Sequence, residues 1–287
     1  MFPQVDFDSA PAVSEFVRSK FKAIYGTTDD RWLERVFRDV EALFEGRNPG
    51  YAAIDLKYHN LRHTLMATVC MALLLEGFHG SDGGSSLEVR DFELAIAAVL
   101  MHDSGYIKLK SDTAGTGAKY TYCHILRSGA YAASYLPQVG VNETEVENVL
   151  AAINCTGPNS DINHLRFRND ASKIVGCALA TADYLGQLSD PHYPGKLGHL
   201  YAEFRESDEY ANVPKERRGF TSEEDLVTRT PGFWNRFVKP KLDRDFQAVY
   251  RFLERPIGSG INPYLEAVGD NFAIIERRIA ARKPGGA

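Results

Sequence analysis

Cysteine is scarce in this chain. The four cysteines among 287 residues, Cys70, Cys123, Cys155 and Cys177, form no CxxC pair. Three of them lie inside apolar segments, where a buried, reduced thiol is expected. A disulfide-free chain with cytoplasmic localisation fits this usage. Excess charge is also small. The net charge of −5 comes with no long basic run, which argues against a nucleic-acid backbone as partner. The N-terminal MFPQVDFDSA has no basic segment followed by an apolar one, so no signal peptide is expected. No apolar run reaches the length of about 18 residues that a membrane span requires, so no membrane partner is expected. Alternating strand patterns, internal repeats, G-x-G-x-x-G and Walker loops are missing too.

What remains reads as helix, with 44% hydrophobic residues to build a core. In TTDDRWLERVFRDVEALFEG the apolar residues Trp32, Leu33, Val36, Phe37, Val40, Leu43 and Phe44 share one face, and Gly46 stops it. Segment 61–77 is apolar nearly all round and predicts a buried central helix. After the Gly/Ser-rich loop GSDGGSSLE comes a second buried helix over 91–103. Asn142 and Glu145 form a capping box for a helix with Val146, Val149 and Ile153 on one face. A third very apolar helix is expected over 172–188. Thr230 and Pro231 open PGFWNRFV, and Pro240 interrupts or ends it. Asn262 and Pro263 open the last helix, with KPGGA as a frayed tail. The fold class is therefore all-α, as a single domain over 1–287. Its core spans 51–188. The stretch 189–225 is a polar crossover or lid, and helices over 226–283 pack on the core. A homo-oligomer stays open.

Buried helices do not carry ionisable groups without a reason. A charged carboxylate or unpaired imidazole in apolar surroundings costs several kcal/mol unless paired, hydrogen-bonded or metal-bound. Three of the most apolar segments break that rule. The first carries His63, the second ends in His102 and Asp103, and the third carries Asp183 within ALATADYL. Two imidazoles and two carboxylates make a mixed N/O set suited to a divalent cation such as Mn, Fe, Zn, Ni or Mg.

The order H…HD…D formed by His63, His102–Asp103 and Asp183 resembles the signature of the HD superfamily of metal-dependent phosphohydrolases. VLMHDSGYIK matches the HD-[ST]-G-[YH] wording of bacterial members, and the likeness covers Tyr51 to Leu188. YHNLRH, Tyr58 to His63, resembles the Y-H-N-x-x-H opening motif of the cyclic-nucleotide phosphodiesterase catalytic domain, a branch of that superfamily. The resemblance implies that His59 is the general acid protonating the leaving oxygen. It implies that His63, His102, Asp103 and Asp183 bind metal, and that Asp103 can bridge to a second ion. Spacing agrees, since residues i and i+4 share a helix face.

The departures are specific. Tyr106 stands near the position where the phosphodiesterases carry a further histidine, and Cys155 and Thr156 stand where binuclear relatives have another. His124 falls where such an extra ligand often lies, so one metal site is expected and a second is short of ligands. Phosphate needs cations or backbone donors. Lys108, Lys110 and Arg127 are the candidates, with Asp55 as a partner that could orient His59. Gln187, Tyr193 and His192 are candidate substrate contacts, whereas Phe233 and Trp234 read as core. The expected substrate is a phosphoester, a phosphodiester of a nucleotide or similar small molecule. The alternatives are a nucleotidase or other phosphomonoesterase, and a non-catalytic metal- and nucleotide-binding regulatory module. An oxygenase with two irons needs extra histidines, and Thr156 counts against it.

Overall fold

A computed structural model of the chain describes residues 2–26, 29–81 and 87–282. Thr27 and Thr28, most of the Gly/Ser-rich loop and the KPGGA tail lie outside the described residues.

Among the described residues the fold is all-helical, without a strand. Ten α-helices follow one another: α1 (Ala10–Tyr25), α2 (Arg31–Phe44), α3 (Leu61–His79), α4 (Val89–Met101), α5 (His124–Tyr135), α6 (Glu143–Asn154), α7 (Asp170–Leu188), α8 (Tyr193–Tyr210), α9 (Glu223–Phe233) and α10 (Pro263–Arg282). The starts follow local chemistry. Asn60, Asn142 and Asn169 each accept a hydrogen bond from a backbone N–H in the first turn of α3, α6 and α7. Gly46, just past α2, holds φ at 71° with the backbone of Ala53 pressed against it, a position closed to a side chain.

α3 is the axis of the molecule. It is long and apolar enough to cross a membrane by composition, with mean hydropathy 1.3, but 78% of that window is buried inside the protein. α7 packs along it, and α1 and α4 flank it. The α3–α7 crossing is tight because Gly186 faces Ala67. A Cβ on Gly186 would stand 2.9 Å from the Ala67 backbone nitrogen. One buried core takes residues from every helix, including Leu226 and Val227 of α9 and Val268 and Ile275 of α10. The C-terminal helices thus pack on the core.

Two points of the sequence reading gain detail. The stretch 189–225, read as a polar crossover or lid, contains a full helix, α8. Tyr193, Leu197, Leu200 and Phe204 form its apolar stripe, continued inward by the buried polar residues Glu203, Ser207 and Asp208. α8 is fixed at its start. Asn271 of α10 donates to the Leu188 and Asp190 carbonyls at 2.8 Å each, and Asp190 pairs with Lys196 and with Arg62 of α3. The second point corrects the start of α9. It opens at Ser222, whose hydroxyl accepts the Asp225 N–H, with Glu223, Glu224 and Asp225 favouring the positive helix N-terminus. Pro231 lies inside it. A proline ring crowds the carbonyl four residues back, and the coil widens into π-helical turns at Trp234–Val238, ahead of Pro240.

Candidate metal centre and cleft

The α3–α7 crossing sets the site. His63 lies one turn before Ala67 on α3, and Asp183 one turn before Gly186 on α7. His102 caps α4, and Asp103 follows it as the chain turns into a short 3-10 helix, Ser104–Tyr106. The backbones then run very close. A Cβ on Gly105 would meet the His124 carbonyl oxygen at 1.9 Å, so glycine is required for α5 to approach.

Four side chains from the three apolar segments lie close together. His63 Nε2 lies 3.1 Å from Asp103 Oδ2 and 3.2 Å from Asp183 Oδ1. His102 Nε2 lies 3.4 Å and 3.6 Å from the same two oxygens. His63, His102 and Asp103 form a buried group whose ligand atoms all lie within 4.8 Å of one another, and which can hold a metal ion. Donor atoms held about 2.1 Å from one cation stand about 3.0 to 3.4 Å apart, so the spacing fits.

The donor chemistry fits as well. His102 Nδ1 lies 2.7 Å from the Val99 carbonyl, which can only accept. The proton is therefore on Nδ1 and the Nε2 lone pair faces the cluster. His63 Nε2, His102 Nε2 and Asp103 Oδ2 are buried without a hydrogen-bond partner. Three such atoms converging on one point are costly unless a cation, or in its absence a proton held between His63 and the carboxylates, satisfies them. In the protein without metal, burial disfavours a charged His63, but the Asp103 and Asp183 carboxylates outweigh it and push its pKa up to about 10. Burial would likewise raise Asp103, yet the adjacent His102 and His63 hold it well below the usual carboxylate range.

His124 sits at the edge. Its Nδ1 lies 2.7 Å from the Thr121 carbonyl, and its Nε2 is 3.8 Å from Asp103 Oδ1. Burial lowers its pKa, so it stays neutral with a free lone pair. Tyr106 is sandwiched between two imidazoles, its ring 4.6 Å from His59 and 4.5 Å from His124. Tyr106, already read in the sequence as a departure from the phosphodiesterase likeness, is thus an aromatic spacer between the two imidazoles. Thr156 turns its hydroxyl to the Ile153 carbonyl at 2.8 Å.

His59 is held by a residue that sequence reasoning missed. Glu203 of α8 accepts from His59 Nδ1 at 2.7 Å through one carboxylate oxygen, and from the Tyr58 N–H at 2.8 Å through the other. This fixes the proton on Nδ1 and leaves Nε2 for the cleft. Asp55 does not orient His59. It pairs with Lys108 at 2.9 Å and accepts the Gly117 N–H. The clue to Glu203 was its place at helical spacing behind Leu200 and ahead of Ser207, on the inward stripe of α8.

Of the three cationic phosphate contacts expected from the sequence, Lys110 is exposed, and Lys108 and Arg127 are engaged elsewhere. Lys108 holds Asp55 and the Gly115 carbonyl. Arg127 donates to the Gly105 carbonyl at 2.7 Å and the Ile107 carbonyl at 2.9 Å, with its guanidinium 3.6 Å from the Tyr120 ring centre. It braces the turn that carries Asp103. Arg127→Ala should therefore cost about 2–3 kcal/mol of stability with KM for any ester unchanged. Denaturant unfolding beside steady-state kinetics checks this, and a raised KM at unchanged stability would return Arg127 to a phosphate role. Gln187 is occupied too. Its amide oxygen accepts from the Tyr58 hydroxyl at 2.8 Å, and its nitrogen donates to the Asp183 carbonyl and Oδ1.

A cleft of about 690 Å³ opens onto this cluster, with His59, Asp103, His124 and Asp183 in its wall. Tyr193 lines a neighbouring chamber. Phe233, expected in the core, is 43% exposed and lines both.

Fold and site together define an all-helical protein with a buried His/Asp group able to hold a metal at the base of a cleft. The Npun_R2479-like family model matches residues 12–254, and the chain belongs to that family. A comparison with curated proteins found no match.

Proposed function

We propose that this protein is a metal-dependent phosphohydrolase that cleaves phosphodiesters, with His59 as general acid. The observation that carries this reading is the juxtaposition in one cleft of two devices. One is the set of orphaned donors on His63, His102 and Asp103; the other is the His59–Glu203 pair. The likeness of His63, His102–Asp103 and Asp183 to the HD signature, and of YHNLRH to the phosphodiesterase motif, supports it.

His63, His102, Asp103 and Asp183 would hold a divalent cation, whether Mn, Fe, Zn, Ni or Mg; His124 stands by as a weaker donor. A cation there would supply Lewis acidity at the phosphoryl oxygen and a water acidified toward neutral pH. Glu203 keeps the Nδ1 proton of His59 in place and stabilises the imidazolium, and the stacked Tyr106 ring fixes its plane. The Nε2 proton of that imidazolium passes to the leaving oxygen. Such proton transfer contributes roughly 10²–10⁴-fold.

Charge selects diesters. Among the described residues no lysine or arginine lines the cleft at the cluster, while Asp103, Asp183 and Asp208 do. A singly charged diester meets less repulsion there than a doubly charged monoester. The expected result with Mn²⁺-loaded protein is turnover of diesters at least about tenfold above matched monoesters. Equal or inverted preference would point to a phosphomonoesterase, and no turnover of either class in metal-loaded protein would sink the reading.

A further inference from the structure

The cleft continues past the reactive cluster into a second chamber of about 540 Å³. His59, Gln187, Phe204 and Phe220 line both spaces. The two differ in chemistry. The metal end has Asn159, Ser160, Ser207 and Asp208 in its wall. The second chamber is walled by Phe204, Phe220, Phe233, Phe237, Leu200 and Leu226, and among the described residues no Asn, Asp or Glu side chain lines it.

Three of its polar side chains are already engaged, while the exposed Arg236 and the tyrosines Tyr184 and Tyr193 complete the polar part of the lining. The Gln187 amide is bonded to Tyr58 and Asp183, and the buried Thr230 hydroxyl donates to the Leu226 carbonyl. Arg229 donates to the Gly219 carbonyl at 2.6 Å and leans over the Phe220 ring. Reading a nucleobase requires free donors and acceptors on its edge, because unmatched polar groups cost affinity on burial. With four phenylalanines and three leucines against the exposed Arg236 and two tyrosines, this chamber rewards hydrocarbon over a base edge. His59 stands on the wall common to both spaces, where a leaving oxygen would sit between its phosphorus and its carbon.

We propose that the ester's leaving alcohol carries an aromatic or hydrocarbon body that fills this second chamber, in place of the nucleoside expected from the sequence. The proposal rests on the phosphohydrolase reading for the word leaving, but its binding test does not need turnover.

The test uses the full chain loaded with Mn²⁺ and measures equilibrium binding of the methyl, butyl and octyl members of a phosphonate monoester series in which the varied chain is attached through the P–C bond and so cannot leave. An adenosine phosphonate monoester is the comparison, and turnover of the matching phosphodiesters is followed in parallel. Affinity is expected to rise about fourfold per buried methylene until the chamber is filled. Phe233→Ala and Phe237→Ala, at positions that are not fully buried, should flatten the chain-length series. Melting curves confirm that these variants fold. Binding that ignores chain length, or an adenosine ester that outcompetes the octyl member, overturns the proposal; diester turnover in the same samples would leave the hydrolase reading standing. Steep chain-length dependence without hydrolysis of any ester would keep the ligand class and sink the hydrolase instead.

Discussion

Replacing Asp103 by alanine is expected to strip the protein of its metal and abolish turnover. Among the described residues, Asp103 is the one carboxylate whose oxygens approach the imidazoles of His63, His102 and His124 together. Loss of groups that only orient a ligand typically weakens a metal about 10–100-fold, so loss of a ligand itself should weaken it by at least about 100-fold. Elemental analysis of the purified variant beside the parent checks this, and stoichiometric metal in active Asp103→Ala would refute the assignment. The same residues set a pH dependence. With the His63 pKa at about 10 in the metal-free protein, a cation must displace its proton anywhere below that pH. Affinity should therefore climb up to about tenfold per pH unit from neutral pH and level off above about pH 10. Titration calorimetry in buffers of different ionisation heat reads the released proton, and a pH-independent affinity would exclude His63 as the group displaced. In the metal-free protein the sign is opposite. The raised His63 value contributes stability that is complete below its ordinary value of 6.5 and is lost as pH rises through about 10.

His59→Gln should keep its metal and lose about 10²–10⁴-fold in kcat on esters with alkyl leaving groups. The deficit should shrink toward nothing on p-nitrophenyl esters, whose leaving oxygen departs without a proton. A deficit equal on both kinds of ester would mean that His59 positions the substrate rather than protonating it. Glu203→Gln probes the partner. An amide nitrogen turned toward Nδ1 can only donate, so it would favour the tautomer with the proton on Nε2 and weaken the imidazolium. The expected signature is a smaller loss of kcat on alkyl esters that shrinks on p-nitrophenyl esters, as for His59→Gln. An equal loss on both kinds of ester would make Glu203 a purely structural anchor for Tyr58 and α8.

The three apolar helices were legible because burial and charge conflict. His63, His102, Asp103 and Asp183 stood out against surroundings that do not tolerate them, and the fold brings them within reach of one another. Glu203 was invisible for the opposite reason. It lies among Glu206, Asp208 and Glu209, where one more acid raises no conflict, and only the spacing from Leu197 through Phe204 marks its helix as inward-facing. Lys108 and Arg127 show a different limit. Proximity in sequence to Asp103 does not fix direction, and both side chains turn to carbonyls and an acid left open by the 104–117 turn. Phe233 read as core because an aromatic residue in a helix usually is. The π-helical widening that follows it comes from prolines acting on backbone geometry, which hydrophobic pattern alone does not encode.

The contact between Gly186 and Ala67 has a consequence for how the ligands come to be spaced. Because two backbones meet there with no side chain between them, the separation of α3 and α7 is set by atoms that have no rotamers. His63 and Asp183, each one turn before that contact on its own helix, inherit that separation. Their spacing is a dimension of the scaffold, established when the core forms. The ordering entropy of the ligand set is thus spent in folding, and a cation arrives at a gap already cut to size.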